Sequence, residues 1–420
     1  MMYKEIHKTH RLLVTLCIIL ASYCLLCNAC QPNAPKYPLP EEPGVIMDAY
    51  NYERSKDGIT DFVYNQLWYF NFLDDKGDKD PSNDVAGAAA IGLANPEDLF
   101  FQKGLSSTFG MIIRDPSEGA SFNMSNLSPH PKASGSFSAS ETFEPGPGFE
   151  VKTPNGFIDV ISADEYHIAG HVNEGEREIS WDLTYTRTLG PGWLVWKDWP
   201  MPATLGVFPA WITYYIHMPN AAVNGTFSVK DGDTEKTYAL ANAEGYHDGF
   251  FSKCVYSILE WNWLDYKQKD PALAIQMLQP HGPKYKCKGG WDVCTPGNVR
   301  VIYEGRVYDF TRHRDVIEIN YDRTEYNPQY KVDYPMEVTI TAKDADQNRV
   351  EVHWRHVQHS IVYADVPSPY KDCASFEMLV TLNGTFYEAK TATLVPFSGS
   401  SWAEWSGPAF PDKKKNPSPR

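Results

Sequence analysis

The stretch Glu178-Ile-Ser-Trp-Asp-Leu-Thr-Tyr-Thr-Arg187 decides the class of fold. Its apolar residues stand at every second position, and polar residues fill the places between them: Ile179, Trp181, Leu183 and Tyr185 alternate with Ser180, Asp182, Thr184 and Thr186. Successive side chains of a β-strand point to opposite faces of the sheet. A period of two therefore predicts a strand with one buried face.

Similar runs of β-branched and aromatic residues recur on both sides of this stretch, for example at residues 166–172 and 336–342. Aromatic residues make up 14% of the 420 residues, which favours β-rich folds and pockets for apolar ligands. Helical periodicity is scarce. Only residues 270–278 predict a helix, because Asp270 can cap it and Pro271 suits the first helical position. The chain is thus predicted to be all-β, with few short helices, and to form two antiparallel barrels or sandwiches.

The charge of the chain limits its partners. The formal net charge is −15, and residues 1–29 hold three basic residues and one acidic residue, which leaves −17 on the remainder. A surface of this sign repels phosphate backbones and anionic lipids. We therefore expect no nucleic acid among the partners.

The N-terminus has the order of a secretory signal peptide. Three basic residues precede an uncharged run from residue 12 to residue 27, and Cys27-Asn28-Ala29 places small residues before a cut after Ala29. A run of this length is short for a membrane span of about 20 residues. We predict a signal peptide at 1–29 and a secreted mature chain without a stable membrane span. An uncleaved signal anchor, or a lipid anchor on Cys30, is the alternative.

The domain limits follow from composition. Residues 30–44 are too rich in proline for a β-ladder and predict a tether. Residues 407–420 are charged and broken by proline, which predicts a disordered tail. Between them we expect an N-terminal domain at 45–252 and a C-terminal domain at 253–406.

Two further features agree with export. Four Asn-x-Ser/Thr sequons predict glycosylation at Asn123, Asn126, Asn224 and Asn383. Four cysteines remain between residues 45 and 406, and they allow three disulfide pairings. Cys287 and Cys294 flank a loop flexible enough to close, which favours that pair and leaves Cys254 with Cys373. A zinc site is the alternative, although the Cys-x-x-Cys spacing is absent.

No motif for a cofactor occurs in the sequence. The glycine-rich nucleotide and phosphate loops, the Gly-x-Ser-x-Gly elbow and His-Glu-x-x-His are all absent. The run from His353 to His359 holds a third histidine at 356. On a regular strand His356 faces away from the other two, so the three cannot share a metal ion. We therefore expect no metal and no cofactor.

Three ordered segments resemble one lipocalin-like family. Leu67-Trp-Tyr-Phe70 followed by residues 71–77 is similar to its E-W-W-Y-F…D-G opening, and residues 181–187 match its W-D-L-x-[FY] strand. Residues 219–225, followed by Gly245-Tyr-His-Asp248, resemble its P-x-A-x-V-x-G and G-Y-H-D-H-N-W-G segments. The family contains carotenoid 1,2-hydratase (hydroxyneurosporene synthase), AttH-like proteins, fungal kievitone hydratase and fungal Diels–Alderases.

The resemblance covers about residues 60–265 and implies two lipocalin-like barrels side by side. It also implies a hydrophobic small-molecule substrate, bound at or between the barrels and converted without a cofactor. The sequence departs from the family where His-Asp-His-Asn-Trp-Gly is expected, because Gly249-Phe-Phe-Ser252 follows His247 and Asp248. This departure weakens a carotenoid-hydratase assignment and leaves His247 and Asp248 as the candidate acid–base pair. Neighbours on a strand can act together only if a bulge or turn redirects one, which Gly249 would permit.

The remaining site candidates supply donors and aromatic walls. The candidate donors are Arg187, Tyr246 and His247, and the candidate walls are Trp68, Trp181, Trp211, Trp261 and Trp263. Each has a structural alternative: the tryptophans as core residues, and Asp182 with Arg187 as an ion pair at a barrel mouth instead of a pocket pair.

Three functions fit these residues. The first is a secreted cyclase of natural-product (terpenoid or polyketide) biosynthesis that uses no cofactor and acts by dehydration, Diels–Alder-type cycloaddition or both. The second is a hydratase of an isoprenoid or prenyl double bond. The third is a carrier of apolar ligands that converts nothing.

Overall fold

The computed structural model describes most of the chain between residues 64 and 408. The described residues are 48, 64–76, 80–94, 105–114, 122–129, 132–134, 149–204, 208–253, 261–280, 297–311, 315–329, 332–364 and 373–408. The expected signal peptide, tether and Cys287–Cys294 loop lie outside them, as do residues 409–420 of the expected tail.

The described residues form two antiparallel sheets, which confirms the all-β prediction. The first sheet contains twelve strands: β1 (Tyr64–Asp74), β2 (Val85–Ala94), β3 (Leu105–Arg114), β4 (Phe122–Pro129), β5 (Lys132–Ser134), β6 (Phe149–Thr153), β7 (Gly156–Ser162), β8 (Glu165–Glu174), β9 (Arg177–Arg187), β10 (Trp193–Thr204), β11 (Phe208–Asp231) and β12 (Thr234–Lys253). Its order is β4-β3-β2-β1-β12-β11-β9-β8-β7-β6-β5, and β10 pairs with β11. We call this sheet the N-terminal barrel.

The second sheet contains nine strands: β13 (Trp261–Gln268), β14 (Leu273–Pro280), β15 (Asn298–Tyr303), β16 (Arg306–Thr311), β17 (Val316–Asn327), β18 (Val332–Lys343), β19 (Arg349–Ala364), β20 (Cys373–Glu388) and β21 (Thr393–Pro408). Its order is β16-β15-β14-β13-β21-β20-β19-β18-β17, and we call it the C-terminal barrel. β21 extends through Pro408, two residues into the expected tail. No helix among the described residues has the length and apolar content needed to cross a membrane.

The alternation in β9 determines which of its side chains enter the core of the N-terminal barrel. Ile179, Trp181, Leu183 and Tyr185 are all buried, as the period of two predicts, while Asp182 between them is exposed. The buried side chains join one apolar core with residues of β1 such as Phe70. The C-terminal barrel has its own apolar core, in which Phe376 and Trp405 are buried.

A third apolar cluster lies between the barrels. It joins aromatic residues of β1, β10, β11 and β12 to β13, β20 and β21 of the C-terminal barrel, so each barrel covers an apolar face of the other. Polar bonds add to this contact: Arg114 donates to Gln358 at 2.7 Å, and Gln276 donates to the backbone carbonyl of Pro219 at 2.9 Å. The two barrels therefore lie side by side, as the family resemblance implied.

The helix predicted at residues 270–278 is wrong. Asp270 and Pro271 form a turn through a cis peptide bond, and Leu273–Pro280 is strand β14. β14 lies between β13 and β15 and hydrogen-bonds to both. Residues 273–279 are buried on both faces, so they lack the alternation that would have marked a strand. Pairing with two neighbours outweighs the local helix signal.

Candidate functional site

The two predicted acid–base residues, His247 and Asp248, are neighbours on β12. Phe70, Tyr69 and Trp68 of β1 pair in regular register with His247, Asp248 and Gly249, without a bulge. His247 and Asp248 therefore face opposite sides of the sheet. The bulge that would have brought them together at Gly249 does not form between β1 and β12.

Gly249 has a different structural role. A Cβ atom at this position would lie 2.3 Å from the hydroxyl of Tyr215 and 3.0 Å from the backbone oxygen of Leu67. Glycine therefore leaves space for the Tyr215 ring to cross the strand. The hydroxyl of Tyr215 then reaches Asp48 at 2.7 Å.

On the His247 side lies a buried polar network inside the N-terminal barrel, here called the inner cluster. Its members are Asp48, Tyr166, Tyr215, His217 and His247. Asp48 Oδ2 accepts from the Tyr166 hydroxyl at 2.5 Å and lies 3.0 Å from His217 Nδ1 and 3.1 Å from His247 Nε2. The His247 ring stacks on Phe70 with 3.9 Å between ring centroids. Asp48 and both imidazoles are at most 1% exposed, so the network is shielded from water.

The geometry fixes which nitrogen of His247 donates to the backbone. His247 Nδ1 lies 3.0 Å from the backbone oxygen of Tyr69, and its Nε2 faces the Asp48 carboxylate. The carbonyl oxygen of Tyr69 can only accept, so Nδ1 is the donor of that hydrogen bond. Burial by itself would raise the pKa of Asp48, but its contacts with His247 and His217 hold the pKa well below the ordinary value. Burial lowers the pKa of His217, against the opposing effect of Asp48.

A bulge places His217 in the cluster. The pairing of β11 with β12 shifts register between Ile216 and Met218, which leaves His217 as the extra residue. Met218 then joins the inner core beside it. The other ring nitrogen of His217, Nε2, is buried and has no hydrogen-bond partner among the described residues. The bulge thus delivers a second imidazole to the barrel interior.

On the Asp248 side lies a second network, between the barrels, here called the interface cluster. Its members are Tyr69, Tyr214, Tyr246, Asp248, Trp261, Glu377, Trp402 and Glu404. Asp248 accepts from the hydroxyl of Tyr246 at 2.8 Å and from the hydroxyl of Tyr214, and the two hydroxyls are 2.9 Å apart. Burial raises the pKa of Asp248 to about 7, and the hydrogen bond from Tyr214 opposes this rise.

Two glutamates complete the interface cluster. Glu377 and Glu404 stand directly opposite each other on β20 and β21 and hydrogen-bond each other. Glu377 accepts from the indole of Trp402 at 2.6 Å, and Glu404 accepts from the indole of Trp261 at 2.8 Å. Tyr69 also donates to Glu377, at 3.2 Å. Burial raises the pKa of both glutamates, and the charge of Glu404 raises that of Glu377 further.

The structure brings together one subset of the predicted site residues. Tyr246, Asp248, Trp261 and Trp263 all lie at the interface between the barrels. Trp263 packs edge-on against Tyr246, with 4.9 Å between ring centroids. The interface is therefore where the donors and aromatic walls expected from the sequence meet.

The other predicted residues lie elsewhere. Trp68 and Trp181 are buried in the core of the N-terminal barrel, on the side of His247. Trp211 lies on β11, and its side chain is outside the described part of the structure.

The ion pair between Asp182 and Arg187, which was the structural alternative to a pocket role for these residues, does not form. Arg187 donates to Asp164 through Nε at 2.7 Å and also through Nη2. Asp182 pairs with His167 instead, with 2.7 Å between Nε2 and Oδ1. Asp182 and Arg187 are five residues apart on β9, so their side chains leave opposite faces of the strand.

The interpretation of the C-terminal histidine run also needs correction. β19 shifts register between His356 and Gln358, so His359 comes to the same side as His356. The two imidazoles are in contact, with 2.9 Å between His356 Nε2 and His359 Nδ1. His353 remains apart and contacts Thr339. The assumption of a regular strand was wrong, because the bulge reverses the facing of the residues that follow it, up to the next register shift between Ile361 and Tyr363.

The predicted modification sites have different surroundings. Asn224 and Asn383 are exposed, whereas the amide nitrogen of Asn123 donates to Ser360 at 2.9 Å and to the backbone oxygen of Ile361 at 2.6 Å. Asn126 lies on β4 and Cys373 on β20, and their side chains are outside the described set, as are residues 254, 287 and 294. Glycosylation and the disulfide pairs stay predictions.

Comparison with known proteins supports the fold. No protein-family model and no curated protein matches the sequence. Among solved structures the chain is similar to CghA, with a TM-score of 0.54 and 13% identity over 83% of this chain and 88% of that chain. It is similar to CghA with Sch210972 at a TM-score of 0.52 and 13% identity, over 82% and 88% of the two chains. An AttH-like protein of Nitrosomonas europaea aligns over 83% and 93% of the two chains, at 14% identity and a TM-score of 0.46.

These findings define the class of protein by its fold. The chain is a two-barrel lipocalin-like protein, and it shares this fold with CghA. The likeness confirms, at the level of fold, the family resemblance found in the sequence.

Proposed function

We propose that this protein is a secreted, cofactor-independent cyclase of natural-product biosynthesis, which binds a hydrophobic substrate against the interface cluster between the barrels. The reaction is a dehydration, a Diels–Alder-type cycloaddition, or both in sequence. The observation that carries the proposal is the pair Glu377 and Glu404, two carboxyl groups buried among aromatic side chains with raised pKa values.

The carboxyl pair supplies the acid. A carboxyl group whose pKa is raised stays protonated near neutral pH and can give its proton to a substrate hydroxyl. The carbon–oxygen bond then breaks, water leaves, and an allylic cation remains. The carboxylate takes back a proton from the neighbouring carbon, which forms the new double bond and restores the acid.

Aromatic faces stabilise the cation formed in that step. Trp261, Trp263, Trp402 and Tyr246 all belong to the apolar cluster between the barrels. An aromatic face near a cation contributes about 0.5–2 kcal/mol. The same walls can hold a polyene in its reactive conformer, which is the main requirement of a cycloaddition.

Two indole groups offer donors to a substrate carbonyl. The ring nitrogens of Trp196 and Trp263 are buried and have no hydrogen-bond partner within the described residues. Trp196 packs near Tyr214 and Trp263 packs against Tyr246, so both lie beside the interface cluster. A donor in a site without water lowers the energy of a developing oxyanion and activates a carbonyl-bearing dienophile.

The fold and the N-terminus give further support. CghA, which has the same fold, has been solved with Sch210972, and we take this as support for a small-molecule ligand. The signal sequence at 1–29 supports secretion.

Product formation by secreted protein tests the proposal. Hydrophobic polyenes and allylic alcohols are incubated with wild-type protein, with Glu404→Gln and with Glu377→Gln, and products are followed by chromatography and mass spectrometry. We expect each variant to lower the dehydration rate at least 100-fold, because general acids contribute about 10²–10⁴-fold. Glu351→Gln is the matched control, since Glu351 is exposed on β19, and it keeps the wild-type rate.

The remaining outcomes separate the alternatives. In water labelled with oxygen-18, a cyclase gives unlabelled cyclic product, whereas label in the product identifies a hydratase. Substrate recovered unchanged after long incubation with wild-type protein identifies a carrier. Full activity in both glutamate variants contradicts the role of the carboxyl pair.

A further inference from the structure

The inner cluster lies on the opposite face of β12 from the interface cluster and takes no part in the proposed reaction. We infer that Asp48, His217 and His247 bind one divalent first-row transition-metal ion. Among the described residues this is the only group of three metal-ligating side chains whose ligand atoms all lie within 4.8 Å of one another.

The distances in the cluster suit a shared ion. Two ligands bonded to one metal at about 2.1 Å, with an angle of about 90–110° between them, lie about 3.0–3.4 Å apart. Asp48 Oδ2 is 3.0 Å from His217 Nδ1 and 3.1 Å from His247 Nε2. Two of the three ligand separations therefore already match those that a bound ion imposes, and the two histidine nitrogens lie within 4.8 Å of each other. Small side-chain shifts suffice to admit the ion.

The hydrogen bond of His247 to the backbone orients a lone pair toward Asp48. Nδ1 of His247 donates to the backbone oxygen of Tyr69 at 3.0 Å, so Nε2 of the neutral ring carries a lone pair. That lone pair faces a carboxylate oxygen, and the two repel unless a positive charge lies between them. The charge is either a proton or a metal ion, and metal-bound histidines commonly donate their other nitrogen to a carbonyl in this way.

The second imidazole strengthens the case for a metal ion. In the tautomer with the proton on Nε2, His217 turns the lone pair of Nδ1 toward the same carboxylate oxygen. This tautomer loses no hydrogen bond at Nε2, because Nε2 has no partner among the described residues. One cation can therefore satisfy both imidazoles and the carboxylate together.

Neighbouring side chains support the ligands. The hydroxyl of Tyr215 donates to the second oxygen of Asp48 at 2.7 Å and so fixes the orientation of the carboxylate. The hydroxyl of Tyr166 lies 3.0 Å from His217 Nδ1 and 2.5 Å from Asp48 Oδ2, next to the proposed ion. It is the nearest candidate for a fourth ligand.

The donor set selects the kind of metal. Two imidazoles and one carboxylate suit Zn²⁺, Co²⁺, Ni²⁺ or Fe²⁺, whereas Ca²⁺ and Mg²⁺ prefer oxygen ligands alone. The contact between His356 and His359 has no third ligand of this kind in the described set. This inference replaces the expectation, based on sequence motifs alone, that the chain holds no metal site.

Metal binding to the untagged, full-length secreted protein tests the inference. The protein is stripped with a chelator, dialysed overnight against Zn²⁺ or Co²⁺ so that the ion can reach a buried site, and assayed by elemental analysis. We expect one ion per chain, and for Co²⁺ a visible absorption band of a nitrogen–oxygen site. Asp48→Asn and His217→Gln should weaken binding at least 10-fold, and His356→Gln is the control that should bind as wild type does.

Three results would overturn the inference: no ion bound by the wild type, binding unchanged in both Asp48→Asn and His217→Gln, or binding lost in His356→Gln. If neither ligand variant folds, Tyr215→Phe decides instead, because it keeps all three ligands. Loss of this support should weaken binding about 10-fold at unchanged stoichiometry, and unchanged affinity would count against the site. These measurements need no substrate, so their failure is distinct from failure of the proposed cyclase activity.

Discussion

The inner cluster and the interface cluster both hold buried carboxyl groups beside tyrosines, yet the pKa values of these carboxyl groups are shifted in opposite directions. Asp48 is buried beside two imidazoles, and its pKa lies well below the ordinary value. Glu377 is also buried, but its neighbour is a second carboxyl group, that of Glu404, and its pKa lies well above the ordinary value. Burial is common to both sites, so the neighbouring group decides which form of the carboxyl is stable.

The difference assigns different chemistry to the two faces of β12. An ionised carboxylate between imidazoles attracts cations, and a protonated carboxyl among indoles and phenols gives up protons. His247 belongs to the first of these environments, and Asp248, its neighbour in sequence, belongs to the second.

The largest effect is expected from Asp48→Asn. The substitution removes the charge that pairs with the imidazoles and leaves His217 and His247 buried without it. Loss of one partner of a buried ion pair costs about 3–5 kcal/mol of unfolding free energy. Urea denaturation at pH 7 measures the loss, and a variant within about 1 kcal/mol of wild type would show that Asp48 is not ionised in the folded state.

The glutamate pair should make the folded protein less stable as the pH rises. A carboxyl whose pKa is raised in the folded state contributes stability below its unfolded pKa, and this is lost as the pH rises toward the folded pKa. Each pH unit between the unfolded and the folded pKa costs about 1.4 kcal/mol, so wild type should lose stability relative to Glu377→Gln as the pH rises from 6 to 8. Urea titrations of both proteins at the two pH values measure this difference, and parallel curves would contradict a protonated Glu377.

The histidine pair of the C-terminal barrel should make the folded protein less stable as the pH falls. His356 faces another imidazole instead of a carboxylate, and burial lowers its pKa to about 3. A histidine with a lowered pKa contributes stability above its unfolded pKa of about 6.5, and this is lost as the pH falls. Wild type should therefore lose up to about 2 kcal/mol relative to His356→Gln between pH 6.5 and pH 5. Thermal melts across this range test it, with His353→Gln on the same strand as a control that retains the wild-type loss.

The fold could be predicted from the sequence because alternation in strands such as β9 reports a surface with one buried face. A strand that is buried on both faces shows no such alternation. β14 lies between two other strands and lacks alternation, so its cap and proline residues suggested a helix. A fully buried strand and a short helix are not distinguished by periodicity alone.

The candidate site was predictable only in part. Tyr246, Asp248 and the tryptophans of β13 could be found, since family-like motifs and aromatic spacing mark them. Glu377 and Glu404 gave no signal, because they become neighbours only when β20 pairs with β21. Asp48 and His217 were missed for related reasons: Asp48 lies 169 residues from His217, and His217 enters the barrel through a bulge that no residue pattern announces.

The smallest effect is expected for Asp182, which forms the same kind of carboxylate–imidazole contact as Asp48 but at the solvent-exposed surface. Asp182 and His167 form a hydrogen bond of 2.7 Å, shorter than either bond from Asp48 to an imidazole, but the Asp182 side chain is 70% exposed. Water solvates the partner that remains after substitution, so Asp182→Asn should cost only about 0.2–1 kcal/mol in urea denaturation at pH 7. If burial gives the inner cluster its strength, the loss must stay well below that of Asp48→Asn. Equal losses would mean that the His–Asp contact itself, and not the exclusion of water around it, holds the inner cluster together.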